Sequence, residues 1–338
     1  MARRILAGAP GEPWVPMPGG VVTTGVGSSE AHARYLAALL RRCTDVPSWF
    51  EPLSAFLDPA FPGRTSRDRT LVVFSQGLGA NARMALERRA EFGSVVVVTS
   101  ATEEGQARAG RRESAGLLAR LREERARVEG FPVEDEFTIL IRVIGPLCGF
   151  AAAWRLASGI RGHGLMGGMA MADALEAWNH GPWAGRLASG IREAMDAHRA
   201  GFVLATSEAL GGCVQNVVAK FVEGLYWPGP RVVDLLGLAH GALQQLASRP
   251  SPVWVLGDDA LAAVATSTLA GAGIPARRVP LPTSFELAPL AAELLVNPVL
   301  MGMVEDLGID QLNWPGKGLD GGLYGISRRE DMNETGSA

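Results

Sequence analysis

Two turns rich in glycine and serine have residue types suited to binding an anion. They are Gly25-Val26-Gly27-Ser28-Ser29-Glu30 and Ser75-Gln76-Gly77-Leu78-Gly79-Ala80-Asn81. Glycine permits close backbone approach, and free N–H groups and hydroxyls at the start of a helix can hold an anion. Ordinary helix caps use the same residues, so both interpretations stay open at this point. The candidate ligand-binding residues are Gly27, Ser28, Ser29, Ser75, Gln76, Gly77 and Asn81.

The second half of the chain carries candidate acid–base residues. Lys220 and Glu223 are spaced to share one face of a predicted helix. The turn before this helix contains Ser207, a further candidate substrate-binding residue. A carboxylate can move a proton between neighbouring carbons, and a fixed cation can stabilise an oxyanion. A surface ion pair has the same spacing and is favoured when these residues are considered alone. His240 can exchange protons near neutral pH, with a buried core histidine as the alternative.

The two turns resemble those of the sugar isomerase (SIS) domain, a phosphosugar-binding fold. In that domain the first strand ends in Gly-x-Gly-Ser-Ser and the second in Ser-Gln-Ser-Gly-Glu-Thr. Ser75 and Gln76 match the second motif. The following residues depart from it: Gly77 replaces a serine, Leu78 a glycine, Gly79 a glutamate and Ala80 a threonine. Two hydroxyl donors are therefore lost, while the backbone of this turn can still form an anion-binding nest.

The second half resembles the isomerase half of glucosamine-fructose-6-phosphate aminotransferase and the related fructosamine deglycases. Lys220-Phe221-Val222-Glu223 is similar to the Lys-x-x-Glu of that family, residues 238–243 to Glu-Leu-Lys-His-Gly-Pro-Leu, and residues 308–317 to the closing segment that returns a lysine. The resemblance implies that Glu223 is the base of an enediol mechanism and that Lys220 lies beside the oxyanion. It also implies that His240 opens the sugar ring from a neighbouring subunit and that Lys317 assists ring opening or forms an imine.

The resemblance implies an aldose–ketose isomerase or a fructosamine deglycase that acts on a sugar or sugar phosphate. We expect a homodimer with a shared active site, no cofactor and no catalytic metal. The chain begins close to the first predicted strand, so we expect no glutaminase domain and no glutamine-dependent amination. The alternative function is a non-catalytic SIS protein that binds a sugar phosphate for regulation.

The elements around these residues predict an α/β fold, because short β-branched runs alternate with stretches of helical period. We expect strands at 20–24, 70–75, 94–99, 138–143, 202–205, 252–256 and 277–280. We expect helices at 30–42, 80–92, 147–157, 212–225, 235–247, 260–269 and 285–295. This rhythm indicates two SIS-like α/β/α domains, each with a central parallel sheet, at 1–183 and 184–303. Residues 304–338 would form a C-terminal active-site tail.

Two segments interrupt this rhythm. Residues 111–129 mix arginine and glutamate along a helical period, which favours a solvated helical insertion over a partner-binding arm. Residues 163–183 are rich in glycine and methionine and predict a helical connection that ends in a turn at Asn179-His180-Gly181-Pro182. The domain boundary is expected near residues 184–200.

Composition excludes several classes of protein. Of 338 residues, 47% are hydrophobic and 20% are charged, as in soluble globular proteins. The formal charge of −3 gives no broad basic surface for nucleic acid or anionic lipid. No uninterrupted apolar run reaches the roughly 18 residues of a membrane span. We therefore expect a cytoplasmic protein with no nucleic-acid or membrane partner, and three unpaired thiols at Cys43, Cys148 and Cys213.

Overall fold

The computed structural model describes residues 4, 6, 11–61, 63, 66–132, 139–178, 181–197, 201–207 and 209–326. Within these ranges the chain forms two compact units. The first unit takes the described parts of Met1–Glu136, Ile144–Met169 and Asn313–Ala338. The second takes those of Phe137–Val143 and Ala170–Leu312. The chain therefore passes between the units more than once.

The first unit is built on a five-stranded parallel sheet in the order β2-β1-β3-β4-β5. The strands are β1 (Val21–Thr24), β2 (Ser48–Phe50), β3 (Thr70–Phe74), β4 (Ser94–Thr99) and β5 (Arg127–Gly130). The helices are α1 (Ser28–Cys43), α2 (Ala80–Glu87), α3 (Glu103–Arg108), α4 (Arg112–Glu123) and α5 (Ile144–Ser158).

The central strands β1 and β3 are buried along their whole length. They consist of Val, Thr, Leu and Phe, which suits a parallel sheet covered on both faces. Val21 pairs with Thr70, and Thr24 with Val73, so the two strands end at the same edge of the sheet. Ligands of open parallel sheets bind outside these carboxyl ends. The fold thus brings the two glycine- and serine-rich turns to one edge of the first unit.

The segment at 111–129 is not a solvated insertion, and that prediction is wrong. Helix α4 buries Leu117, Leu118 and Leu121 in the core of the first unit, and β5 then pairs with β4. Glu129 is only 5% exposed and forms ion pairs with Arg127 and Arg155. The charged residues that suggested a solvated helix lie on the exposed side of α4, while its leucines pack in the core of the first unit.

The strand predicted at 138–143 is also wrong over its described part. Residue 138 lies outside the described residues, and residues 139–143 form no strand. They belong to the second unit, where Leu140 N donates to Gln311 O at 3.2 Å and Ile141 N to Gln311 Oε1 at 3.0 Å. An apolar run that is buried against other elements has the same composition as a strand, so composition alone could not separate the two.

The second unit has a four-stranded parallel sheet in the order β7-β6-β8-β9. The helices before this sheet are α6 (Gly168–Ala177) and α7 (Gly181–Ala197). The remaining elements are β6 (Val203–Thr206), α8 (Val214–Leu225), β7 (Arg231–Asp234), α9 (Ala242–Ser248), β8 (Val253–Leu256), α10 (Ala260–Gly271), β9 (Ala276–Val279) and α11 (Ala288–Asp306). A short helix α12 (Gly321–Tyr324) follows in the part of the chain that returns to the first unit.

Helix α11 forms much of the core of the second unit and packs against α7 and α8. It is long and apolar enough to cross a membrane, but 72% of its most apolar window is buried inside the protein. That burial is what the core helix of a globular unit requires.

The boundary between the units differs from the expected one. Helix α6 belongs to the second unit from Ala170 onward, whereas the sequence suggested a boundary near residues 184–200. Of the predicted turn at 179–182, Asn179 and His180 lie outside the described residues.

The burial of α4 predicts a large stability effect. Leu118 is fully buried, so Leu118→Ala should lower the free energy of unfolding by about 2–5 kcal/mol through lost burial and a residual cavity. Urea titration followed by circular dichroism measures the loss. Val264→Ala, at a position 61% exposed on α10, is the matched control and should change stability by less than about 0.5 kcal/mol. Equal, small effects at both positions would restore the insertion hypothesis.

Candidate functional site

The turn after β1 has the backbone shape of an anion-binding turn. Gly27 precedes α1 with a φ of +62°, a conformation that favours glycine. Ser28 and Ser29 form the first turn of α1 and are partly exposed, and no side chain caps the helix. Glu30 N donates to Gly27 O at 3.0 Å, which closes the turn. The dipole at the start of this 16-residue helix can attract an anion.

The turn after β3 is tied to the end of the neighbouring strand. Ser75 N donates to Val98 O, and the Gln76 carbonyl accepts from Thr99 Oγ1 at 3.1 Å and Ser100 Oγ at 2.8 Å. Ser75, Gln76 and Gly77 are all partly exposed. The side-chain nitrogen of Gln76 is buried and donates to no acceptor among the described residues.

Leu78 shows how this turn departs from the SIS motif. It occupies the motif's glycine position with a left-handed φ of +50°, and its side chain is fully buried. A left-handed conformation costs a non-glycine residue about 1–2 kcal/mol, whereas burial of a leucine contributes about 1.5–3 kcal/mol. Ser114 Oγ also donates to the Leu78 carbonyl at 2.9 Å. Leu78 thus has a backbone conformation that favours glycine, while its side chain packs in the core.

Asn81 contacts the chain itself, which corrects its expected availability to a ligand. Its Nδ2 donates to the carbonyls of Leu323, at 2.9 Å, and Ile326, at 3.1 Å. These bonds fasten the returning C-terminal segment to the start of α2. In the same segment Lys317 is exposed, with its Nζ 4.5 Å from the ring centroid of Trp314. The side-chain amide of Asn81, which was predicted to donate to a ligand, thus holds the segment that carries Lys317.

In the second unit, Lys220 is the most deeply buried of the predicted catalytic residues. It is 2% exposed, and its Nζ lies 3.1 Å from Glu293 Oε2 and donates to the carbonyl of Arg142. Glu293 is 1% exposed and also accepts from Asn216 and Asn297. The expected surface ion pair between Lys220 and Glu223 is therefore replaced by a buried pair that joins α8 to α11.

Glu293 is the buried partner of Lys220 that sequence reasoning missed. It is the sixth residue of the 19-residue helix α11, whose other buried residues are apolar apart from Asn297. An ionisable residue in such a helix must be paired, because an uncompensated buried charge is costly. The signal was therefore present in the pattern of α11, although the pattern could not identify Lys220 as the partner.

Glu223 is partly exposed on the same helix, one turn after Lys220. Burial raises the pKa of the Glu223 carboxyl above its ordinary 4.5, and the charges of Lys220 and Arg142 oppose that rise. Gln311 fixes the backbone at this point, because its Nε2 donates to the carbonyls of Glu223 at 3.1 Å and Gly224 at 3.0 Å. A carboxyl with a raised pKa can take up and release a proton closer to neutral pH.

Ser207 and His240 lie in loops of the second unit. Ser207 follows β6 and is partly exposed, and its carbonyl accepts from Leu210 N at 3.2 Å. His240 is exposed at the end of a short 3₁₀ turn, Gly237–Ala239, so the core-histidine alternative is wrong. Gly241, with a φ of +92°, follows it and starts α9.

The predicted residues are divided between the two units. The turns at 27–29 and 75–77, Asn81 and Lys317 belong to the first unit, whereas Ser207, Lys220, Glu223 and His240 belong to the second. Within the described ranges, no three His, Cys, Asp or Glu side chains cluster as a metal site would require.

Comparison with known proteins places the chain by its fold. No protein-family model matches it, and neither does any curated protein. Among solved structures it is similar to a putative phosphosugar isomerase from Salmonella typhimurium (TM-score 0.62, 13% identity, covering 93% of each chain). It is also similar to tagatose-6-phosphate ketose/aldose isomerase from Escherichia coli (TM-score 0.60, 13% identity, covering 88% of this chain and 85% of that one).

A third similar structure is the C-terminal domain of glucosamine-fructose-6-phosphate aminotransferase from Francisella tularensis. The TM-score is 0.58 at 12% identity, covering 89% of this chain and 87% of that one. These matches confirm the α/β fold expected from the SIS resemblance, with a parallel sheet in each of two units. At such low identity they show the fold alone.

The buried pair predicts strong energetic coupling. Lys220→Met or Glu293→Gln alone leaves one buried charge without its partner and should cost about 3–5 kcal/mol of stability. The double variant should lose less than the sum of the two single losses by about 1–3 kcal/mol. Urea unfolding of all four proteins measures this difference. The exposed pair of Arg108 and Glu104 is the matched control and should couple by less than about 1 kcal/mol. Additive losses at Lys220 and Glu293 would contradict the pairing.

The raised pKa of Glu223 predicts how its replacement changes stability with pH. The folded state holds this proton more tightly than the unfolded state, so the charged carboxylate destabilises the fold as pH rises above about 4.5. Glu223→Gln should match the parent protein in acid and become relatively more stable as pH increases. Urea unfolding across a pH series measures the effect, with the exposed Glu305→Gln on α11 as control. A pH-independent difference would show that burial does not raise this pKa.

Proposed function

We propose that this protein is an aldose–ketose isomerase of the sugar or sugar-phosphate class, or the related fructosamine deglycase, with Glu223 as its base. The observation that carries the proposal is the environment of Glu223. Its carboxyl is partly buried and has a raised pKa, and no hydrogen bond to it is found among the described residues. A structural carboxylate in such a position would ordinarily be paired. The similar isomerase structures support the same reaction class.

The proposed reaction moves a carbonyl between C1 and C2 of an open-chain sugar. Glu223 removes a proton from the carbon next to the carbonyl, which gives an enediol, and returns that proton to the neighbouring carbon. The sugar hydroxyl loses its proton as the new carbonyl forms, and the former carbonyl oxygen gains one. With a fructosamine the equivalent intermediate is an enolamine. Its protonation at C2 gives an imine at C1, and water then adds to the imine and releases the amine and the aldose.

The geometry changes the role we propose for Lys220. Its Nζ is directed to Glu293 and the Arg142 carbonyl, so we propose that it acts on Glu223 through its charge and does not contact the sugar. Because Lys220 opposes the rise in the pKa of Glu223, its charge favours the ionised carboxylate, which is the form that can act as a base. In this scheme Lys220 is a positioning residue.

His240 and Lys317 keep their proposed parts in ring opening. Both side chains are exposed, which suits groups that a substrate or a neighbouring subunit must reach. We propose that His240 is supplied to the active site of a second subunit in a homodimer. Lys317 would assist ring opening or form an imine with the open carbonyl.

In the first unit, the turns after β1 and β3 are the groups that we propose to bind an anionic or polar group of a sugar. Ser28, Ser29 and Ser75 supply hydroxyls, and backbone N–H groups supply the remaining donors. Asn81 is bonded to the C-terminal segment, so fewer side-chain donors serve a phosphate than the SIS motif offers. The smaller number of donors favours a sugar whose anionic group accepts fewer hydrogen bonds than a phosphate, or an unphosphorylated sugar.

The test is proton NMR in deuterated water with matched phosphorylated and unphosphorylated ketoses, aldoses and fructosamines. The expected result is exchange at C1 or C2 with one substrate, and its loss by at least about 10²-fold in Glu223→Gln, since a general base contributes about that much. Glu305→Gln is the control for an exposed carboxylate and should retain exchange. Exchange that survives in Glu223→Gln would exclude this residue as the base.

A regulatory sugar-phosphate binder is the second candidate function. It is favoured by the turn after β1, where Ser28 and Ser29 open a 16-residue helix that has no side-chain cap, because an anion can bind there without any proton transfer. Saturable binding of one sugar phosphate, without exchange under any condition, would support this function and contradict the isomerase.

A further inference from the structure

The second unit contains a cavity that the proposed reaction does not use. Its volume is about 400 Å³, within the range of roughly 300–1,000 Å³ of small-molecule sites. None of its lining residues is a proposed catalytic or sugar-binding residue. The lining consists of two tryptophans, three arginines and a valine: Trp183, Arg186, Trp254, Arg277, Arg278 and Val279.

The aromatic floor of this cavity is built by close packing of α7 over the sheet. Trp254 on β8 pairs in register with Arg277 on β9. Gly190 on α7 lies directly above them, because a Cβ at this position would come within 2.3 Å of the Trp254 ring and 2.8 Å of Arg277 Nη1. Only glycine allows α7 this approach. The indole of Trp254 is thereby held at 2% exposure.

The rim of the cavity carries an excess of positive charge. Arg277 forms an ion pair with Glu193 at 2.6 Å, and Arg278 pairs with Asp258. Arg186 lies over the ring of Trp183, with Cζ 4.8 Å from the ring centroid, and pairs with no carboxylate among the described residues. Two of the three guanidinium charges are thus balanced, which leaves Arg186 available to an anion.

The two tryptophans of the lining differ in how far a ligand can reach them. Trp254 is 2% exposed and its Nε1 is itself buried, so its indole closes the floor of the cavity and offers a ligand no hydrogen-bond donor. Trp183 is partly exposed, so its ring is the aromatic surface that a ligand can contact.

We propose that this cavity binds a flat aromatic anion. The aromatic ring packs against the indole of Trp183, and the carboxylate or phosphate of the ligand pairs with Arg186. This site is separate from the sugar site and does not depend on the proposed isomerase activity.

The experiment is a titration of the full chain with 2-naphthoate, followed by the indole N–H signals in a ¹H–¹⁵N spectrum. The Trp183 signal is assigned from its loss in Trp183→Phe. It should shift saturably, while 2-naphthalenemethanol, which has the same ring without the charge, should bind at least about fivefold more weakly. Acetate, which has the charge without the ring, should not saturate the shift.

Two substitutions separate the ring from the charge. Arg186→Gln should weaken 2-naphthoate by at least about fivefold, whereas Arg108→Gln, on the exposed surface of the first unit, should leave its affinity unchanged. Equal binding of the charged and neutral rings would overturn the proposal, as would an unchanged affinity in Arg186→Gln. The absence of any saturable shift would overturn it too. A Trp183 signal that shifts with protein concentration alone would overturn the proposal by identifying the cavity as a contact between copies of the chain.

Discussion

The second unit depends on one buried ion pair, between Lys220 and Glu293. Two charges that are almost wholly withdrawn from water must satisfy each other, and here they join α8 to α11 through a 3.1 Å contact. Asn216 and Asn297 complete the hydrogen bonding of the carboxylate. The pair therefore fixes the position of the helix that carries Glu223. It also provides a fixed positive charge one helical turn from that carboxyl, which limits the rise of its pKa.

Amide side chains hold together segments that are distant in sequence, and they do so in both units. Gln311 donates to the carbonyls of Glu223 and Gly224 and accepts from the backbone of residues 140–141, so it ties the end of α8 to that segment. In the first unit Asn81 fastens the C-terminal segment to the start of α2. Each amide offers both donors and an acceptor, which suits it to satisfy backbone groups that no helix or strand pairs. The segments around the candidate site are thus held by a few specific bonds.

Much of the fold could be predicted from the sequence because its elements have strong local periodicity. The strands at 94–99 and 70–74 and the helix at 214–225 lie where apolar patterning indicates them. The failures share one cause. β5 is short and charged, and the largely apolar run at 139–143 forms no strand, so local composition gave the opposite answer in both cases. Pairing with β4 decided the first, and the burial of Ile141 with the hydrogen bonds to Gln311 decided the second.

The sequence by itself determined the fold class and the two glycine- and serine-rich turns, which depend on local spacing that short motifs record directly. Its resemblance to a known family, and not the spacing alone, indicated Glu223 as the candidate base. The tertiary structure decided which charges meet. Lys220 could pair with Glu223 one turn away or with a residue 73 positions further along the chain, and only the packing of α11 on α8 selects Glu293. It likewise decided that Asn81 bonds to the C-terminal segment, because a hydrogen bond across 242 residues leaves no local pattern.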